Sequence, residues 1–203
     1  MDFERTPAAG GLPGETAGWR TLPNLLTALR MVLIAPFVWL AVRGDDLAAL
    51  GIWIVAGLTD TLDGHFARRL RQSSQFGRLA DPLADKLLTG AAFIVLAVFR
   101  GGLSAIPMWL MAAVIARDIL ILLGSLLVYS AVRNSGFRPT FLGKLNTLIE
   151  LLVVTWFLAA TRFPALAPAL PALYAAALVS IAASALDYLV QGLRMVRREA
   201  GKP

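Results

Sequence analysis

The sequence predicts an all-α polytopic membrane protein with six transmembrane helices and both termini in the cytoplasm, and three observations carry that expectation. Of the 203 residues, 58% are hydrophobic and 16% charged, and the mean hydropathy is +0.69, far above what a water-soluble domain carries. The apolar residues come in runs of about 20, the length that crosses a hydrocarbon core at a helical rise of about 1.5 Å per residue. The Lys and Arg residues sit between those runs and divide unevenly between the two sides. Disorder and a disulfide-built scaffold are excluded, and the absence of cysteine removes thiol catalysis and cysteine-ligated metals. The net charge of +6 comes with no aromatic-interleaved basic patch, so membrane lipids rather than nucleic acid are the expected partners of the cations.

Residues 1–21 read as a polar cytoplasmic tail rich in Gly, Ala and Pro, without the basic start and small-residue cleavage site of a secretory signal. Six apolar segments follow at about 24–42, 47–67, 81–99, 104–132, 140–161 and 170–192. Each is expected to be helical because only a helix satisfies its own backbone in lipid. Pro23 suits a first helical turn, and Gly101-Gly102, Asn134-Ser135-Gly136 and Pro164 with Pro168 mark breaks. Short connections make sequential helices antiparallel neighbours, so 22–195 is read as one membrane domain and 196–203 as a basic cytoplasmic tail. Thirteen of the Lys and Arg residues, among them Arg20, Arg68, Arg69, Arg71, Arg138, Lys144 and Arg194, fall on one side, against Arg43, Arg100 and Arg162 on the other. That imbalance, with an even number of spans, places both termini inside the cell and the chain in the inner (cytoplasmic) membrane.

The acidic residues carry the functional signal. Carboxylates are costly within a membrane, yet Asp60, Asp63, Asp81 and Asp85 all lie within or at the ends of apolar segments. Asp60 and Asp63 are about 60° apart around a helix, and Asp81 and Asp85 about 40° apart, so each pair projects from one face. Two helices joined by a short cytoplasmic loop can aim all four at one point. Their mutual repulsion requires a cation or bound protons. All-oxygen ligation suits Mg²⁺ or Mn²⁺, and two such ions bridged by shared carboxylates are an economical arrangement for phosphoryl transfer. Gly64 and Ala67 leave a strip poor in side chains beside these acids, and Arg68 ends it with a fork suited to a diphosphate. Small residues of this kind also serve close helix packing.

The pattern Asp60-x₂-Asp63-Gly64-x₂-Ala67-Arg68-x₈-Gly77-x₃-Asp81-x₃-Asp85 resembles the signature of the CDP-alcohol phosphotransferase family, with all eight fixed identities in place over 26 positions. Similarity extends through Pro23-Asn24-Leu25-Leu26-Thr27 with Arg30, the Asp81-to-Lys86 stretch, Ala116-Arg117-Asp118 and Gly143-Lys144-Leu145-Asn146-Thr147. The resemblance implies a six-helix membrane enzyme, usually a homodimer, in which an acceptor hydroxyl displaces CMP from a CDP-linked donor at a site on the cytoplasmic side. It makes Asp60, Asp63, Asp81 and Asp85 metal ligands, with Asp85 also the general base. It assigns the cytidine diphosphate to Asp60, Gly64, Ala67, Arg68 and Gly77. Asp81 to Lys86 looks most like members that use CDP-diacylglycerol. The stretches around Arg117 and Arg138 lean towards phosphatidylglycerol as the alcohol acceptor, giving cardiolipin, with glycerol-3-phosphate as the alternative.

Outside the signature, Arg117, Arg138 and Lys144 are candidates to receive a substrate phosphate. Arg117 can equally pair with Asp118 or Glu150 as structural glue. Arg30 and Lys86 either snorkel, neutralise the carboxylates or meet substrate, and His65 is expected to face the loop. Two further readings are an intramembrane prenyltransferase, which also uses aspartate pairs, and a small proton-coupled transporter relaying through Arg117, Glu150 and Asp187. The first lacks an explanation for the Gly64, Ala67, Arg68 and Gly77 spacing, and the second lacks inverted repeats.

Overall fold

The computed structural model describes residues 22–70, 86–100, 105–131 and 140–200, and within these the side chains of 28–59, 86–100, 105–124 and 140–195. Among the described residues all regular structure is helical: α1 (Leu22–Arg43), α2 (Asp46–Leu70), α3 (Lys86–Phe99), α4 (Met108–Ala131), α5 (Phe141–Arg162) and α6 (Leu170–Ala200). Each of the six predicted segments overlaps one of these helices. The bounds differ where local chemistry overrides hydropathy. α4 starts at Met108 rather than 104 because Pro107 lies just before it, its carbonyl accepting from Leu110 N at 2.9 Å. α6 continues to Ala200, into the residues read as a tail, since Arg194, Arg197 and Arg198 are good helix formers. Pro164 and Pro168 do break the chain, there forming a 3₁₀ stretch, Pro164–Ala169, between α5 and α6. The last turn of α3, Val95–Phe99, is a π-helix.

α5, and the 3₁₀ stretch together with α6, are long and apolar enough to cross a membrane, while the apolar parts of α2 (Asp46–Thr59) and α3 are shorter. The surface fits lipid: Val32, Val179 and Leu186 are each more than 60% exposed, which in water would be an aggregation liability. Inside, Phe37 of α1 tilts against Trp53 of α2 with ring centroids 5.5 Å apart, and the Trp53 indole donates to Thr155 Oγ1 of α5 at 3.0 Å. α1 packs on α2, α2 on α5, and both α4 and α5 on α6.

Two sets of contacts define the ends of the bundle. At one end α1 turns into α2 through Gly44, whose φ of +82° is one a side chain would strain. Asp45 then caps α2, its Oδ1 accepting from Ala48 N at 3.3 Å. Arg100, at the end of α3, closes this end by donating to the Ala41 carbonyl at 3.2 Å and pairing through both terminal nitrogens with Asp46. The start of α2 therefore meets the end of α3, as antiparallel neighbours require. At the other end Lys86, which opens α3, reaches Asp118 of α4, and Gly143 at the start of α5 lies against Tyr188 of α6.

Candidate functional site

The backbone of α2 runs unbroken through Asp60, Asp63, Gly64, Ala67 and Arg68 to Leu70. At about 100° per residue, positions 60, 63, 64 and 67 occupy an arc about 100° wide, so two acids and two small residues share one face. Immediately before them Thr59 is buried and donates from Oγ1 to the Ala56 carbonyl at 2.7 Å, which satisfies its hydroxyl within the helix. This stretch is the last third of a helix whose first turn is held at the opposite end by Arg100. It therefore belongs to the end of the bundle where α3 begins. Gly77, Asp81, Asp85 and Arg138 lie outside the described residues, as do the side chains of Asp60, Asp63, His65 and Arg68.

The described part of this end holds two polar networks that together span four helices. Lys86 Nζ donates to Asp118 Oδ1 at 2.7 Å, and Arg117 Nη1 donates to the same oxygen at 2.7 Å. Arg117 is 5% exposed, its Nε donates to Ser184 Oγ at 2.9 Å, and its guanidinium lies 5.9 Å from the centre of the Tyr188 ring. Of the partners sequence reasoning offered to Arg117, Asp118 is the one it meets. Glu150 is instead met one turn earlier on its own helix, where Asn146 Nδ2 donates to Glu150 Oε1 at 2.5 Å and Ser180 Oγ donates to Asn146 Oδ1 at 2.8 Å. Asn146 and Glu150 are both fully buried. Buried polar groups hold their place only when hydrogen-bonded, so the two chains of contacts fix α3, α4, α5 and α6 against one another.

Other candidates separate by exposure. Lys144 is exposed in the first turn of α5, free to face a ligand arriving from water. Arg30 is fully buried inside the bundle, so it does not snorkel. At the far end burial lowers the pKa of Arg100 from the ordinary arginine value, from so high a start that the guanidinium remains charged. Sequence reasoning passed over Ser180, Ser184 and Tyr188. Their signal was present as a polar stripe at every fourth position of an otherwise apolar helix, which on α6 is one face.

Gly143 explains one further local constraint. A Cβ placed there would lie 2.8 Å from Tyr188 Oη and 3.2 Å from Thr140 Oγ1. Thr140 is the N-cap of α5, its hydroxyl accepting from Gly143 N at 3.0 Å. The glycine thus lets α6 approach the start of α5 where Lys144 emerges.

A family model described as CDP-alcohol phosphatidyltransferase matches residues 20–189. A Drosophila melanogaster protein named probable cardiolipin synthase (CMP-forming) is 35% identical over 187 residues, covering 84% of this chain and 57% of its own length. A Rattus norvegicus protein named cardiolipin synthase (CMP-forming) is 33% identical over 202 residues, covering 90% of this chain and 65% of its own. The chain thus spans less than two thirds of these two relatives. A Mycobacterium tuberculosis protein named probable phosphatidylglycerophosphate synthase is 30% identical over 195 residues, covering 93% of this chain and 88% of its own.

Proposed function

The chain belongs to the CDP-alcohol phosphatidyltransferase family, and from that premise we propose that it transfers a phosphatidyl group from CDP-diacylglycerol to a glycerol-type hydroxyl, releasing CMP. The observation that carries the reading is the eight-residue signature between Asp60 and Asp85, whose first five members fall on one uninterrupted helix. The relatives' names support the release of CMP and a phospholipid product built on glycerol. The domain is residues 22–195 between a tail at 1–21 and a basic tail at 196–203. It crosses the inner membrane six times, with both termini and the site on the cytoplasmic side, where the Lys and Arg residues gather. A homodimer is the assembly we assign to it.

Asp60, Asp63, Asp81 and Asp85 would hold divalent ions, in keeping with a family that generally uses them. The donor set fits two Mg²⁺ or Mn²⁺: it is all oxygen, and Asp60 and Asp63 share a helical face without a break between them. Bound there, the ions supply charge stabilisation to the attacking and leaving oxygens. The remaining work falls to the chain. Gly64, Ala67 and Gly77 leave room for the cytidine diphosphate to lie against backbone, and Asp60 and Arg68 orient it. Asp85 takes the proton of the acceptor hydroxyl as its oxygen forms a bond to the phosphatidyl phosphorus, and the bond from phosphorus to CMP breaks. Arg117, Arg138 and Lys144 serve the phosphate of the acceptor. Arg117 acts from within its network with Asp118 and Ser184, and Lys144 from an exposed position.

For the acceptor we favour phosphatidylglycerol, giving cardiolipin, on the similarity to the two cardiolipin synthases. The mycobacterial relative keeps glycerol-3-phosphate as the second reading, because the chain covers most of its length. The test is to supply purified protein with CDP-diacylglycerol and each acceptor in turn, and to identify the lipid product by mass. Cardiolipin with CMP release is expected. CMP release with glycerol-3-phosphate and none with phosphatidylglycerol overturns the choice of acceptor, and no release with any alcohol overturns the reaction.

A further inference from the structure

α4 and α6 pack together, and both run towards the end of the bundle where α3 and α5 begin. Arg117 of α4 meets Ser184 of α6, and seven residues further along each helix, about 20° off the same line, stand Gly124 and Gln191. The inward stripe of α4 is buried at Leu110, Val114 and Arg117 and only half-buried at Ile121 and Gly124. A Cβ added to Gly124 would have no neighbour within 4 Å among the described residues. The two helices therefore leave a gap just beyond Arg117.

Two polar groups border that gap with bonding capacity to spare. Arg117 engages two of its five N–H donors among the described residues, Nε with Ser184 and Nη1 with Asp118. Ser184 itself donates to the Ile181 carbonyl at 3.4 Å, which turns its lone pair to the guanidinium. Gln191 Oε1 is buried and has no hydrogen-bond partner among the described residues. Helical side chains lean towards the N-terminus, so the Gln191 amide lies over the turn of Tyr188, whose ring is 5.9 Å from the Arg117 guanidinium. A buried acceptor left unpaired is costly, and an amide oxygen is satisfied only by a donor. A phosphate suits Arg117 and leaves Gln191 Oε1 unmet, whereas a hydroxyl carried close to that phosphate meets it.

We infer that Gln191 determines acceptor specificity: with a phosphate against Arg117, its Oε1 accepts from the secondary hydroxyl of a phosphoglycerol unit lying between α4 and α6. This rests on the reading of Arg117 as a partner of the acceptor phosphate. The secondary hydroxyl is the one that persists, since the primary hydroxyl is consumed in forming the new phosphate ester. Phosphatidylglycerol and glycerol-3-phosphate share this unit, so the site selects a class of alcohol. Gly124 contributes by having no side chain where the unit lies.

The experiment uses the full chain and compares phosphatidylglycerol and glycerol-3-phosphate, each against its analogue lacking the secondary hydroxyl. Binding without donor is read by native mass spectrometry of detergent-solubilised protein, with CMP release from CDP-diacylglycerol assayed in parallel in lipid nanodiscs. Wild type is expected to bind the hydroxyl-bearing member of a pair about 5- to 150-fold more tightly, the equivalent of one unmade buried hydrogen bond. Preference within the lipid pair assigns the site to phosphatidylglycerol, and preference within the soluble pair assigns it to glycerol-3-phosphate. Gln191→Leu should erase the preference by weakening the hydroxyl-bearing member while its analogue binds as before, a pattern that loss of structure cannot produce. No preference in wild type, or the same preference in Gln191→Leu, overturns the inference. Should Gln191→Leu fail to fold, Gly124→Leu decides. Filling the gap should weaken acceptor binding about 10-fold or more at unchanged KM for CDP-diacylglycerol, and unchanged acceptor binding overturns the inference. A preference that depends on Gln191 in protein releasing no CMP retires the proposed reaction and leaves this site standing, and CMP release without such a preference does the reverse.

Discussion

The two ends of α2 carry acids for different reasons. At its start Asp46 lies in the first turn, where the helix dipole favours negative charge, and Arg100 pairs with it from the end of α3. That acid is accounted for by the fold: its partner ties three helices together beside the Gly44 turn. Towards the other end, Asp60 and Asp63 follow directly on the apolar part of the helix, which ends at Thr59, and share a face with Gly64 and Ala67. A fold gains little by placing two like charges one turn apart. The difference teaches that an acid in a membrane helix is read by what offsets its charge. Where a side chain does so, as at Asp46, the acid holds structure; two acids on one face repel, and we propose that a divalent cation offsets them.

The comparison is tested most severely by paired substitutions. Asp85→Asn should lower turnover by about 10² to 10⁴, because an amide cannot take the acceptor proton, while CDP-diacylglycerol binding stays measurable. Near wild-type CMP release in that variant would remove Asp85 from the mechanism. Asp46→Asn should do the reverse, keeping turnover at low temperature while lowering the unfolding temperature. Arg100 is partly buried and keeps its bond to the Ala41 carbonyl, so losing its charged partner should cost less than the roughly 3 to 5 kcal/mol of a fully buried pair. If thermal unfolding of Asp46→Asn matches wild type, that end of α2 is not held as described.

Two smaller effects sharpen the account at the polar end. Gly143→Ala should destabilise by about 1 to 3 kcal/mol, the usual cost of overpacking, because its Cβ would meet the Tyr188 ring. Glycerol-3-phosphate or phosphatidylglycerol KM should rise with it, since Lys144 is the next residue. A variant with wild-type melting would show that Tyr188 moves aside freely. Asn146→Leu should cost about 1 to 3 kcal/mol or more, because it strips the fully buried Glu150 of its hydrogen bond, and should show in the melting curve in detergent before it shows in turnover.

How much of this was legible in the sequence depends on range. The six helices were legible because hydropathy is summed over a whole segment, and the Pro164 and Pro168 break because proline acts on its own backbone. The shared face of Asp60, Asp63, Gly64 and Ala67 was legible because it needs only helical periodicity, which α2 obeys to Leu70. Contacts between helices were not. Glu150 read as a partner for Arg117 because both are ionisable and buried, yet Asn146, one turn away, holds it instead. Ser184, which holds Arg117, is 67 residues further along the chain, and nothing local marks it as a neighbour. Arg100 was read with Arg43 on the opposite side from the signature, but its bond to Asp46 became visible only once α2 and α3 lay side by side.

The claim that the signature carboxylates exist to hold metal for phosphatidyl transfer is tested most directly by one titration. Wild-type protein in nanodiscs is stripped with EDTA, given CDP-diacylglycerol and an acceptor, and followed for CMP release as divalent ions are added back. The account predicts no release in metal-free buffer and recovery with Mg²⁺ or Mn²⁺ but not with Ca²⁺, whose longer oxygen distances misplace the diphosphate. Full turnover in metal-free buffer would contradict it.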